Sequence, residues 1–98
     1  MAIETRPFDP SAYLDSREAI AAYIDAALED GDPAFILDTI GVVARALGMS
    51  QLARETGLAR EALYRSLSDT GNPEFTTVLR VLKALGVRLK AEPARADA

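Results

Sequence analysis

The sequence predicts an all-α fold, on three observations. Ala and Leu recur in blocks, and 49% of the residues are apolar while only 6% are aromatic, a balance that favours helices over a sheet. Apolar residues repeat at i, i+3, i+4 and i+7 along several stretches, which is the period of a helix with one buried face. Gly and Pro fall between those stretches, where helices stop and start. A chain of 98 residues is enough for one domain with a single core. Residues 1–98 are therefore read as one unit.

The first segment, "FDPSAYL", is irregular, because Pro7 and Pro10 prevent a regular helix before Ser11. Asp15 with Glu18 three places on reads as a capping box, and Ile20, Tyr23, Ile24, Ala27 and Leu28 form the apolar stripe of a first helix. "EDGDP" ends that helix and begins the next. Gly31 fits the position after the last turn, Asp32 the cap, and Pro33 the first turn, where no amide donor is needed. A second helix is predicted from Pro33 to Leu47, with Ile36, Ile40, Val43, Ala44 and Leu47 inward, and Gly48 stops it. Short helices follow at about Ser50–Thr56 and Arg60–Leu67, separated by Gly57. "SDTGNP" is a turn, with Asn72 or Glu74 as cap beside Pro73. A fifth helix places Phe75, Val78, Leu79, Leu82 and Leu85 on one face and ends at Gly86. After it, "VRLKAE" alternates apolar and charged residues with the period of a strand. A lone strand needs a partner, so Val87 and Leu89 are read either as an antiparallel contact in a dimer or as part of a frayed tail. "PARADA" is expected to be disordered.

Cysteine and histidine are both absent. This removes disulfides and thiolate metal sites, the commonest zinc ligand and the commonest general base. No metal or cofactor is expected, and no pairing of nucleophile and base can be assembled from the Ser, Thr and carboxylates at helical spacing. An enzyme is the least favoured class. No apolar run approaches the ~20 residues of a membrane span, and "MAIETRPFDP" lacks the basic and apolar regions of a signal peptide. A cytosolic protein is expected.

The formal charge of −4 hides a division. Residues 1–40 hold nine acids against two bases, whereas residues 41–98 hold nine bases against six acids. Opposite signs in the two parts suggest two kinds of partner surface, although acidic solvated helix faces are common.

"LARETGLAREALYRSL", residues 52–67, has two short helical patterns hinged on Gly57. Such a hinge needs a small residue where the helices cross, a turn residue that accepts positive φ, and an inward apolar residue to fix the second helix. Ala53, Gly57 and Leu63 meet these needs in turn, and Leu52, Leu58 and Leu67 complete the inward face. With Leu63 and Leu67 buried, the 3.6-residue period turns Ala59, Arg60, Glu61, Tyr64, Arg65 and Ser68 outward. Arg60 and Arg65 can contact phosphates or guanine edges. Tyr64 can reach a phosphate or a thymine methyl, and Glu61 can accept from cytosine or orient an Arg. An ordinary polar helix face is the alternative; the short linked helix favours a major groove.

"GMSQLARETGLAREALYRSLSDTGNPEFTTVLRVLKALG" resembles the Cro/CI-type (XRE) helix-turn-helix. The strings "ETGLAREALYRSL" and "GNPEFTTVLRVLKALG", with the lead "YLDSREAIAAYIDAALEDGDPAFI", are similar more narrowly to the antidotes of HigA-like addiction modules. The resemblance implies a five-helix lambda repressor-like domain. Residues 1–31 are then an acidic extension with the first helix, 32–86 the DNA-binding core, and 87–98 a strand or tail. It implies a type II antitoxin: a homodimer that binds its own palindromic operator and sequesters a RelE/ParE-like toxin. Arg60, Glu61, Tyr64 and Arg65 match the DNA-facing places of the recognition helix, and Gln51 is a further candidate for phosphate contact. Two departures stand out. Ser50 lies only three residues before Ala53, where many such domains carry Ser/Thr-Gln five before. Residue 59 is Ala where Ser would cap the recognition helix.

Two other classes remain open. A stand-alone Cro/CI-like regulator would have no need of the acidic lead, and a helical adaptor without DNA binding would have no need of Arg60 and Arg65. If the acidic lead holds the toxin, removing residues 1–30 is expected to abolish neutralisation and leave some operator binding.

Overall fold

A computed structural model describes residues 14–94. Most of "FDPSAYL" and the end of "PARADA" lie outside the described residues. Five helices follow one another: α1 (Arg17–Asp30), α2 (Pro33–Leu47), α3 (Met49–Thr56), α4 (Arg60–Ser66) and α5 (Phe75–Ala84). No strand occurs among the described residues. No single helix among them is long and apolar enough to cross a membrane.

The helix ends show how local chemistry sets these bounds. Gly31 takes φ +83° and closes α1, its N–H donating to Ala27 O at 3.2 Å. Asp32 then caps α2, with its Oδ2 accepting from Phe35 N at 3.2 Å and Pro33 in the first turn. The start of α1 corrects the sequence reading. Ser16, not Asp15, is the cap, and its Oγ accepts from Ala19 N at 3.0 Å. Starting there, the chain enters the helix with Leu14 buried in the same cluster as Ile20. Gly48, at φ +115°, both ends α2 and begins α3, so α3 starts at Met49 and buries that side chain. The chain bends by 104° between the two helices.

α1 packs on α2, and α3 touches α2, α4 and α5. The core draws on every helix: Ile20 and Ile24 from α1, Ile40, Val43 and Ala44 from α2, Met49 and Leu52 from α3, Leu63 from α4, and Val81 and Leu82 from α5, with Leu67 and Leu85 just past the last two helix ends. Fully burying side chains of this size contributes about 1.5–3 kcal/mol each. The α1 stripe is thus a core stripe in its first three turns, with Ile20, Ile24 and Ala27 buried and Tyr23 half-buried. A deletion of residues 1–30 therefore removes part of the core, and cannot separate one function from another.

Four expected inward residues are not inward. Leu28, Leu47 and Leu79 are each about two-fifths exposed, and Phe75 is 65% exposed. In α5 the buried pair is Val81 and Leu82, because the helix meets the core along a line shifted from the stripe that starts at Phe75. Glu74 occupies the cap position of α5, but makes no side-chain cap bond.

Candidate nucleic-acid interface

α3 and α4 are joined by Gly57, Leu58 and Ala59, and the join is built from the inside. The Thr56 hydroxyl is buried and donates to Leu52 O at 2.8 Å, while its oxygen accepts from Leu58 N at 3.3 Å. A hydroxyl in the last turn of a helix can satisfy both the helix and the loop that follows it. Gly57 takes φ +75°, its N–H closing on Ala53 O at 2.9 Å. That is a left-handed position in which a side chain is strained. Leu58 and Ala53 are half-buried against the core. Ala59 is extended at φ −69°, ψ 142°, in the geometry of a cap, yet it supplies no side-chain bond.

From this join α4 leaves with one side held and the other free. Leu63 is 1% exposed and Leu67 fully buried, while Arg60, Glu61, Tyr64 and Arg65 are exposed. The Arg60 guanidinium lies over the Tyr64 ring, 5.8 Å from its centroid. This is the geometry of a cation–π contact, and it orders the first turn of the exposed face. Ser68 is half-buried, and its hydroxyl donates to Arg65 O at 3.0 Å.

The structure brings four of the five candidate residues together on α4. Gln51 stands apart from them. It is exposed on α3 and lines a hollow of about 200 Å³ with Leu47, Glu55 and Leu85. The pair read as a dimer contact, Val87 and Leu89, is half-buried against the chain's own core.

Sequence reasoning missed three residues that set the position of α4. Thr56 is one. Arg80 of α5 is the second: its Nη1 donates to Thr56 O at 3.5 Å, adding a base beside the hinge. Gly41 is the third. It is buried in the middle of α2, and a Cβ there would overlap the carbonyl oxygen of Leu67, at the end of α4. A glycine inside a strongly periodic helix was the available signal, since it weakens the helix unless close packing requires it.

A second surface has the opposite sign. Asp25, Glu29 and Asp30 of α1 and Asp38 of α2 are exposed, with Asp32 between the two helices. Among these acids lie the exposed Leu28 and Phe35. Beside them runs a largely apolar groove of about 320 Å³, whose lining includes Leu28, Ile36, Leu37, Pro73 and Phe75.

Comparison with known proteins adds the family. Residues 4–93 match the family described as "Probable addiction module antidote protein". A Haemophilus influenzae protein described as "Uncharacterized protein" is 41% identical over 95 residues, covering 97% of this chain and 98% of that one. No solved structure matches. With nearly its whole length matched, this chain belongs to the family of probable addiction module antidote proteins.

Proposed function

We propose that this chain is the antitoxin of a type II toxin–antitoxin module, with two separate binding surfaces and no catalytic role. One surface neutralises a RelE/ParE-like toxin by direct binding in the cytoplasm. The other is a Cro/CI-type helix-turn-helix through which a homodimer represses its own operon. Membership in an antidote family implies a toxin partner of some kind, and the toxin class and the operator extend that implication.

The observation that carries the DNA reading is the two-sided α4. Its seven residues are anchored by Leu63, and its opposite face presents Arg60, Glu61, Tyr64 and Arg65 to solvent. A helix about 10–12 Å across with its side chains fits a major groove about 12 Å wide. Arg60 and Arg65 supply phosphate or guanine contacts, and Tyr64, stacked under Arg60, adds a phosphate or methyl contact. A two-fold dimer calls for a palindrome with half-sites about 34–36 Å apart. The toxin reading rests on the acidic α1 and α2 surface. Proteins that act on RNA are commonly basic, and an acidic surface with exposed apolar side chains favours both encounter and hold.

The test is co-expression with the product of a small adjacent gene, scored by co-purification and rescue of growth. Rescue is expected to survive Arg60→Ala and Arg65→Ala. Each of these is expected to weaken operator binding and to flatten its salt dependence by about one counterion. A chain that neither co-purifies with such a product nor rescues growth overturns the toxin reading. Arginine variants that bind the operator as the natural chain does overturn the α4 reading.

A further inference from the structure

We propose that residues 87–92 are the pairing strand of a two-fold dimer, each copy laying this segment antiparallel to the same segment of a second copy. This deepens the dimer of the preceding reading by naming its contact, and it holds or fails without DNA.

The segment leaves α5 at a fixed point and has one side held before any partner arrives. α5 ends in a tight cap: Gly86, at φ +82°, donates to Lys83 O at 3.0 Å, and Val87 N donates to Leu82 O at 2.9 Å. This pair of bonds closes the helix and turns the chain out of it. From there the side chains alternate. Val87 and Leu89 are half-buried against the core, and Arg88, Lys90 and Glu92 are exposed. The main chain of residues 88–92 makes no hydrogen bond to another main-chain group among the described residues. A segment of strand period with one face fixed and its backbone unpaired is a template for strand pairing.

Space and charge indicate what fills it. Between the segment and α1 runs an open groove of about 460 Å³, walled on the helix side by Ala21, Ala22, Asp25 and Glu29. Neighbouring strands lie only about 4.8 Å apart, and the alanines leave the helix wall low. The occupant meets Asp25 and Glu29 on the helix wall and Arg88, Lys90 and Glu92 on the strand wall, and the segment of a second copy brings the same two bases and one acid. A second copy of the segment is therefore complementary to the groove.

Register can be read from the same residues. A two-fold centred on Lys90 sets Arg88 of each copy opposite Glu92 of the other, and one centred on Ala91 sets Lys90 opposite Glu92. A two-fold centred on Leu89 would instead set Arg88 against Lys90 twice. Opposite charges across a strand pair attract and like charges repel. The axis therefore passes through Lys90, where two opposite-charge pairs outweigh the one contact of Lys90 with itself, or through Ala91, where no like charges meet. Val87 and Leu89 act in this interface by holding the strand down on its own subunit, not by facing the second copy.

The test is a cysteine scan of the full chain, which has no cysteine of its own. Lys90→Cys, Ala91→Cys and Arg88→Cys each replace an exposed side chain. At the axis a residue faces itself across about 4.5–5.5 Å between Cα atoms, inside the disulfide range, whereas Arg88 would lie about 14 Å or more from its equivalent. Sedimentation is expected to show a dimer. Mild oxidation is expected to link Lys90→Cys or Ala91→Cys at least about tenfold faster than Arg88→Cys, following those distances. Asp25→Lys with Glu29→Lys is expected to shift the chain toward monomer, because it repels the incoming bases. A monomeric natural chain overturns the proposal. So does equal linking at all three positions, the mark of a loose tail, or linking at none. Linking at the axis in a chain that binds no operator would leave this strand in place and remove only the DNA reading.

Discussion

Gly41→Ala sets two forces of known sign against each other. In the interior of a helix, Ala is favoured over Gly by about 1 kcal/mol, so propensity alone predicts a more stable protein. Packing predicts the reverse. A Cβ at residue 41 overlaps the Leu67 carbonyl oxygen and comes within 3.2 Å of the carbonyl carbon and 3.1 Å of Arg45 Nη1. The arginine can move, but the carbonyl belongs to the main chain of a fully buried residue. Relief therefore requires α2 and the end of α4 to separate. Overpacking of this kind costs about 1–3 kcal/mol, and a main-chain obstacle places it at the upper end. The net loss is then about 2 kcal/mol, or a fall in Tm of roughly 8–16 °C for a domain of this size. Thermal and urea unfolding followed by far-UV circular dichroism measure it. A Tm equal to or above that of the natural chain would refute the close packing of α2 on α4. Because the same contact sets the stand of α4, the variant is also expected to lose operator affinity without losing any side chain of the exposed face.

Other outcomes follow from the hinge and the surface. Thr56→Val keeps the shape but leaves Leu58 N without its hydroxyl acceptor, so stability is expected to fall by about 1–2 kcal/mol in a urea titration; an unchanged midpoint would remove the bridge from the account of the hinge. Ala59→Ser supplies a cap where the backbone is already extended, and is expected to add about 1 kcal/mol, seen as a rise in Tm of about 4–8 °C. Phe35→Glu alters a side chain that is 48% exposed among acids, so it is expected to leave folding and operator binding intact and to reduce toxin co-purification; full retention of the toxin would place the docking surface elsewhere.

The sequence made the five helices and the hinge readable because their signals are local. Gly31, Asp32 and Pro33 mark an end and a beginning within three residues, and Ala53, Gly57 and Leu63 are spaced by the geometry of the turn they build. The cap of α1 was less readable, since Asp15 and Ser16 can both accept, and only the burial of Leu14 with Ile20 distinguishes them. Thr56 was unreadable, and Gly41 carried only a mark without its meaning, for a different reason: each acts through a partner in another element or across a turn, the Leu67 carbonyl for Gly41 and Leu52 O and Leu58 N for Thr56. Apolar period has its own limit. It marks a face that avoids water without saying what covers it, and Phe75 and Leu79 share a stripe with the buried Leu82 while remaining exposed. Residues 87–92 show the same limit, since their strand period appears in the sequence although no strand occurs there among the described residues.

One core serves both charged surfaces, and this decides how they can be taken apart. Ile20 and Ile24 stand behind the acids of α1, Leu63 and Leu67 stand behind the bases of α4, and all four belong to one cluster. A deletion aimed at the acidic surface would also remove side chains from the cluster that anchors α4. Loss of both activities in such a truncation would then report unfolding, and would say nothing about which surface holds which partner. Exposed positions do not share this ambiguity: Phe35 and Arg65 can each be changed without opening the core. The two-surface reading therefore stands on a double dissociation. Phe35→Glu must lose the toxin and keep the operator, Arg65→Ala must do the reverse, and both must melt with the natural chain. If both variants lose both partners while melting normally, the surfaces are one, and the division of charge along the chain does not divide its function.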